Sequence, residues 1–257
     1  MKCPLPTPAV LCALVLALVL VYSRPILAGD AVQFVCDAMI PFSYEEQGGV
    51  MGEAVEAVRQ VCARAGCEPL FVMAPWPWVL ESMRHGQGEA VFTAIKTPDR
   101  EHYLHYCQEP LGMMRFMLVG CDVDSPVVAS LADLNGTLVG VIKGHATSEE
   151  FANSAWFARD ESPNAMTMLR KCLAGRLDYI VINDNSLAIL SGMIPEAANL
   201  PVQPYLVHEA PYFIAFSKVH ADRAARWTAR MDLAIRELRR EGSLPPVPPA
   251  PTIPAHP

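Results

Sequence analysis

Two hydrophobic periods alternate along most of this chain, one of strands and one of helices. Val32-Gln33-Phe34-Val35-Cys36 is a short apolar run suited to a buried strand, and it ends in an apolar loop from Asp37 to Tyr44. From Met51 to Ala65 the apolar residues fall at Val55, Val58, Val61 and Cys62, one face of a helix, with Gly66 as its stop. Pro69 to Met73 reads as a strand, Trp78 to Met83 as a helix stopped by Gly86, and Glu89 to Ala94 as a further strand. This strand–helix–strand–helix–strand order predicts a mixed, mostly parallel sheet flanked by helices.

Met113 to Val119 is the next apolar strand, followed by a polar break at Asp122–Pro126. Strand Leu138–Ile142 then leads into the loop Lys143 to Thr147 and a helix from about Ser148, whose Glu149 and Glu150 suit the positive end of the helix dipole. A second α/β unit therefore starts near residue 125. Within it, Met168 to Val181 repeats the pattern of Trp78 to Phe92 at an offset of 89: Gly175 answers Gly86, and Asp178 answers Glu89. The repeat implies two similar units, each bringing a strand end to a shared cleft. A strand at Pro211–Ser217 and a helix from Arg223 to Glu241 follow, with Trp227, Met231, Leu233, Ala234, Ile235 and Leu238 expected on one face. The proline-rich tail from Leu244 to Pro257 is expected to be extended or disordered, without chemistry of its own.

Composition narrows the class. The chain has 257 residues, of which 52% are hydrophobic, enough for a substantial core. Met1-Lys2, an apolar run from Ala9 to Tyr22 and the small residues Ala28-Gly29 have the layout of a signal peptide over residues 1–28. The run is about 14 residues, against the ~20 a membrane span needs, which favours cleavage over anchoring. Removing residues 1–28 takes out Lys2 and Arg24 and no acid, leaving 18 basic against 27 acidic side chains. That acidic balance argues against nucleic acid as a partner. Six cysteines remain: Cys36, Cys62, Cys67, Cys107, Cys121 and Cys172. An exported protein can pair them, and Cys62–Cys67 and Cys36–Cys67 both stay open alongside buried free thiols. Neither Cys-x-x-Cys nor His-x-x-x-His spacing occurs, and no metal or cofactor is expected.

The densest candidate chemistry lies between Ala74 and Glu109: an aromatic loop, a helix, a buried strand, and then Lys96-Thr97-Pro98 leading to Arg100. Open α/β sheets hold ligands at such strand ends. An arginine there can grip a carboxylate with two parallel hydrogen bonds.

The order and spacing of these pieces resemble the family-3 extracellular solute-binding proteins, the polar amino-acid-binding class of ABC importers. The matching segments are Pro41-Phe42-Ser43-Tyr44, Gly49 to Gly52, Leu80 to Glu89, and Lys96 to Arg100. They continue through Val139 to Gly144, Leu173 to Asp178 and Glu241 to Leu244, covering about 31–244. The resemblance implies a two-lobe type II periplasmic-binding-protein-like fold. Residues 29–121 would form the first part of lobe 1, 122–204 lobe 2, and 205–244 the return to lobe 1, with 245–257 a tail. It also implies a periplasmic monomer that closes on a small polar solute, an amino acid or small carboxylate, and passes it to an ABC importer permease. Arg100 falls on the family's carboxylate-binding arginine, Thr93 near its strand-end hydroxyl contacts, and Trp76 on its aromatic wall, with Phe42 or Tyr44 on the facing loop. His145 and Thr147 lie in the helix-opening loop whose N–H groups attract anions in this family. Asn183 stands where the family usually has a carboxylate, Asp184 is one position late, and Asp37 sits one residue closer to Pro41 than usual. The ligand's ammonium would then fall to Asp37 or Asp184. The competing readings are a dehydratase-type enzyme on the same fold, with Glu209, His145 or Asp184 as general acid, and a ligand-sensing partner of a membrane receptor.

Overall fold

The computed structural model describes residues 30–247; the expected signal peptide over 1–28 and most of the proline-rich tail lie outside the described residues. The chain first forms strand β1 (Asp30–Cys36), the small hairpin β2 (Tyr44–Glu46) and β3 (Gly49–Met51), helix α1 (Glu53–Ala65) and strand β4 (Cys67–Met73). Helix α2 (Trp76–Arg84), strand β5 (Ala90–Ile95), the single turn α3 (Pro98–Glu101), β6 (Leu104–Tyr106) and β7 (Gly112–Gly120) follow. The second unit comprises β8 (Leu138–Ile142), α4 (Glu149–Asn153), β9 (Ala158–Ser162), α5 (Ala165–Leu173), β10 (Tyr179–Asn183) and α6 (Asp184–Met193). Strand β11 (Val202–Ser217) and helix α7 (Ala221–Arg240) close the fold.

A nine-stranded sheet runs through the molecule in the order β4-β1-β5-β11-β7-β10-β8-β9, with β6 also on β11. Its two ends are parallel: β1 pairs with β4 and β5, and β8 pairs with β10 and β9. In the middle β11 runs antiparallel to both β5 and β7, and β7 antiparallel to β10. Two mostly parallel α/β units are thus joined through one central antiparallel pair. The 16-residue β11 serves both, where the sequence pattern suggests only its second half, because the stretch from Val202 to Glu209 is broken by exposed positions and by register shifts near Leu206.

The offset of 89 is carried into the structure. Helices α2 and α5 are each nine residues long and begin at Trp76 and Ala165; Gly86 and Gly175 after them have φ of 68° and 67°. Left-handed backbone at both positions is what glycine tolerates without a Cβ penalty. The acids that follow have matching roles. A Glu89 carboxylate oxygen accepts the Gln33 backbone N–H at 3.3 Å, and one from Asp178 accepts that of Leu138 at 2.7 Å. Each acid thus ties its own strand to the first strand of its unit.

The principal core lies between the sheet and helices α1 and α7, around Phe34, Phe92, Val58, Trp227 and Ile235. Of the positions expected on the buried face of α7, Leu233 is instead 50% exposed. At 100° per residue it lies about 200° around the helix from Met231. Cys121 and Cys172 form a disulfide between the end of β7 and α5, while Cys36, Cys62, Cys67 and Cys107 are buried free thiols. A Cys36–Cys67 bridge is excluded by register: Cys36 faces Met73 at one end of the β1–β4 pair, and Cys67 faces Asp30 at the other. Burial pushes the Cys36 thiol up to about 12.

Candidate functional site

The site forms where β1, β5 and β8 end against the central strands. Every residue of β5 is buried, and Thr93 within it has φ 63°. That conformation is an outlier for a β-branched residue, and it coincides with a register shift opposite Phe213 and Ala215 on β11. Such a bulge re-aims the side chains that follow. The chain then reaches Thr97, whose hydroxyl caps α3 by accepting the Arg100 N–H at 3.3 Å. This cap and Pro98 start the turn that sends Arg100 back beneath the strand end.

Arg100 is 5% exposed. Its Nη1 donates to the Ile95 carbonyl at 2.9 Å, and its Nη2 donates to the Gly144 carbonyl of the β8–α4 loop at 2.8 Å. The guanidinium lies 5.2 Å from the Trp76 ring centre. Burial pulls its pKa below the ordinary arginine range, but an arginine remains cationic. The Trp76 indole N–H donates to the same Gly144 oxygen at 2.9 Å. Asp37, at the end of β1, is also buried; its Oδ2 lies 3.5 Å from His145 Nε2, and its Oδ1 has no hydrogen-bond partner among the described residues. His145 stands edge-on to Trp76 and Phe116, with ring centres 6.0 Å from each.

These groups enclose a cavity of about 20 Å³ lined by Asp37, Trp76, Thr93, Arg100 and His145, together with Met39, Ile95, Met114, Phe116 and Ala146. That is room for roughly one water molecule. Behind His145 lies a larger chamber of about 200 Å³, lined by Thr147, Val141, Phe151, Arg159, Glu161 and Val181 and sharing Phe116, His145 and Ala146. Met114 and Phe116 carry no chemistry-bearing atoms, and only their alternation on β7 marks them as facing inward.

The remaining candidates sit elsewhere. Phe42 is in the core, edge-on to Tyr212 with centroids 5.7 Å apart, and Tyr44 lines an outer groove with Pro41, Ile189 and Met193. Asn183 is occupied as the cap of α6: its Oδ1 accepts the N–H groups of Asn185 and Ser186 at 3.1 and 3.2 Å, and its Nδ2 donates to the Arg115 carbonyl at 3.2 Å. The Asp184 carboxylate accepts the Asn185 N–H at 2.8 Å. Thr147 borders the larger chamber only. Of the three general-acid candidates, Glu209 pairs with Arg115 at 3.3 Å and His145 alone lines the cavity. Among the described residues, no group of three or more His, Cys, Asp or Glu side chains is placed to hold a metal, and no helix is long and apolar enough to cross a membrane.

Two mostly parallel units, a shared antiparallel centre and a buried arginine between them define a type II periplasmic binding protein fold. The profile of the bacterial extracellular solute-binding proteins, family 3, matches residues 33–246, and the chain belongs to that family. No curated sequence matches it. Among solved structures, an ancestral arginine-binding protein bound to glutamine aligns with a TM-score of 0.71 at 19% identity, over 83% of this chain and 93% of that one. An amino acid ABC transporter substrate-binding protein from Streptococcus pneumoniae bound to L-arginine gives 0.68 at 18%, over 83% and 90%. A histidine kinase sensor domain similar to periplasmic binding proteins gives 0.71 at 19%, over 83% and 92%. At such identities the likeness is one of fold.

Proposed function

We propose that this protein is exported by cleavage of residues 1–28 and acts as a monomer, closing its two units around a small carboxylate-bearing solute, foremost an amino acid, for delivery to an ABC importer permease. One observation carries the reading: a buried guanidinium, Arg100, and a buried carboxylate with an unpartnered oxygen, Asp37, border the same small cavity between the units. An arginine fork suits a carboxylate and an aspartate suits an ammonium group, so the pair is matched to the two ends of an α-amino acid. The family supports solute capture, and the glutamine- and arginine-bound relatives support an amino acid. Binding by closure needs only that the solute touch both units and so favour the closed arrangement. The sensor-domain relative supports a second reading, in which the captured solute is reported to a membrane receptor.

A thermal-shift screen of the secreted protein with amino acids and small carboxylates tests the first reading. A solute at about 100 times its dissociation constant stabilises the fold by roughly 2.7 kcal/mol. Arg100→Ala is expected to abolish the shift in a protein that still melts cooperatively; an undiminished shift removes Arg100 from the site. Uptake of the radiolabelled hit, lost on deletion of the gene, separates import from sensing.

A further inference from the structure

The loop from Lys143 to Thr147 does more than border the cavity. The Gly144 carbonyl accepts from both the Arg100 guanidinium and the Trp76 indole, while the His145 ring approaches Asp37 between Trp76 and Phe116. Adjacent residues of one loop thus set an oxygen acceptor against the buried cation and an imidazole against the buried anion. This is the pattern of polar groups that an amino acid carries on its α-carbon. Gly144 has φ 78°, a left-handed backbone that orients the carbonyl while the next side chain turns inward. The His145 side chain is 12% exposed, so its place in the wall is set by packing rather than by solvent.

We propose that Gly144 and His145 are a built-in competitor for the solute site, and that His145 is its affinity-determining residue. The inference rests on the solute-site reading above. A solute must displace the Gly144 carbonyl from Arg100 and the imidazole from Asp37 together, a cost that a compact zwitterion bearing both an anionic and a cationic group recovers at both ends. A monocarboxylate without an amine replaces only half of what it removes. The chamber of about 200 Å³ behind His145 shares Phe116, His145 and Ala146 with the cavity, and gives the displaced ring a place to go without unfolding the loop. A competitor of this kind lowers apparent affinity by the fraction of molecules in which the site is free, and removing it restores that factor.

Calorimetric titration of wild type, His145→Ala and Arg100→Ala with L-arginine, L-glutamine and acetate tests this. His145→Ala is expected to bind at least one amino acid roughly tenfold more tightly than wild type, and to leave the preference for that amino acid over acetate, which Asp37 sets, unchanged. Unchanged or weaker amino-acid binding by a folded His145→Ala protein overturns the competitor. If that protein's wild-type binding is also lost in Arg100→Ala, the solute site itself stands. Absence of binding of all three probes to wild type and His145→Ala overturns the competitor as well, and with it the assignment of amino acids to the site. His145→Ser takes the place of His145→Ala if the latter does not fold, with the same expectation.

Discussion

At the scale of single residues, charge placement decides what the cleft can hold. Asp37 keeps one carboxylate oxygen buried and without a partner among the described residues, an arrangement that costs free energy unless something cationic faces it. Asp37→Asn preserves shape and removes the charge; it should weaken an amine-bearing solute by about 2–5 kcal/mol and leave a simple carboxylate little affected, which calorimetry with paired probes reads directly. His208, on β11, illustrates a different effect. Burial holds its pKa below the ordinary 6.5, so the unfolded chain binds more protons than the folded one just below that value. The resulting penalty is absent well above pH 6.5 and grows as pH falls through 6.5 toward the depressed folded value. His208→Gln should therefore flatten the fall in melting temperature across that window. Sequence makes these residues unequally visible. Arg100 and Trp76 stand out by type and position, but nothing in residue order says that Phe42 turns into the core or that Asn183 is consumed as a helix cap.

At the scale of elements, most strands and helices are legible because burial imposes their periods. The amphipathic face of α1 and the fully buried run of β5, apolar but for Thr93, leave little choice. Legibility fails where tertiary pairing overrides local pattern. The first half of β11 is held by β7 despite exposed positions and register shifts, and β9 is a strand although it reads Ala-Arg-Asp-Glu-Ser, because β8 supplies a parallel partner. The repeat adds a quantitative expectation. Glu89 is the more buried of its pair and also binds Arg223 at 2.6 Å, whereas Asp178 holds a single backbone N–H in a more exposed setting. Glu89→Ala should cost about 1–3 kcal/mol and Asp178→Ala about 0.5–1.5 kcal/mol, measured as urea denaturation midpoints.

At the scale of the whole molecule, one covalent bridge and one shared sheet hold the parts among the described residues. Cys121 and Cys172 close a loop with a sequence separation of 51, joining a central strand to a helix of the second unit. The double variant Cys121→Ser/Cys172→Ser should lose about 2–4 kcal/mol, and reductant should lower the melting temperature of wild type but not of the variant. The repeated units are alike in scaffold and unlike in chemistry. Asp37, Thr93, Trp76 and Arg100 all belong to the first, while the second faces them with the loop at Gly144, His145 and Ala146. At the matching strand ends, the first unit kinks at Thr93 and runs on to an arginine; the second turns at Asn183 straight into a helix. On the solute-site reading, the two units therefore make a dock and a lid rather than two equal jaws. An arriving solute would be oriented by the dock alone, so mutations there should alter which molecules are recognised, and mutations in the lid how long they stay.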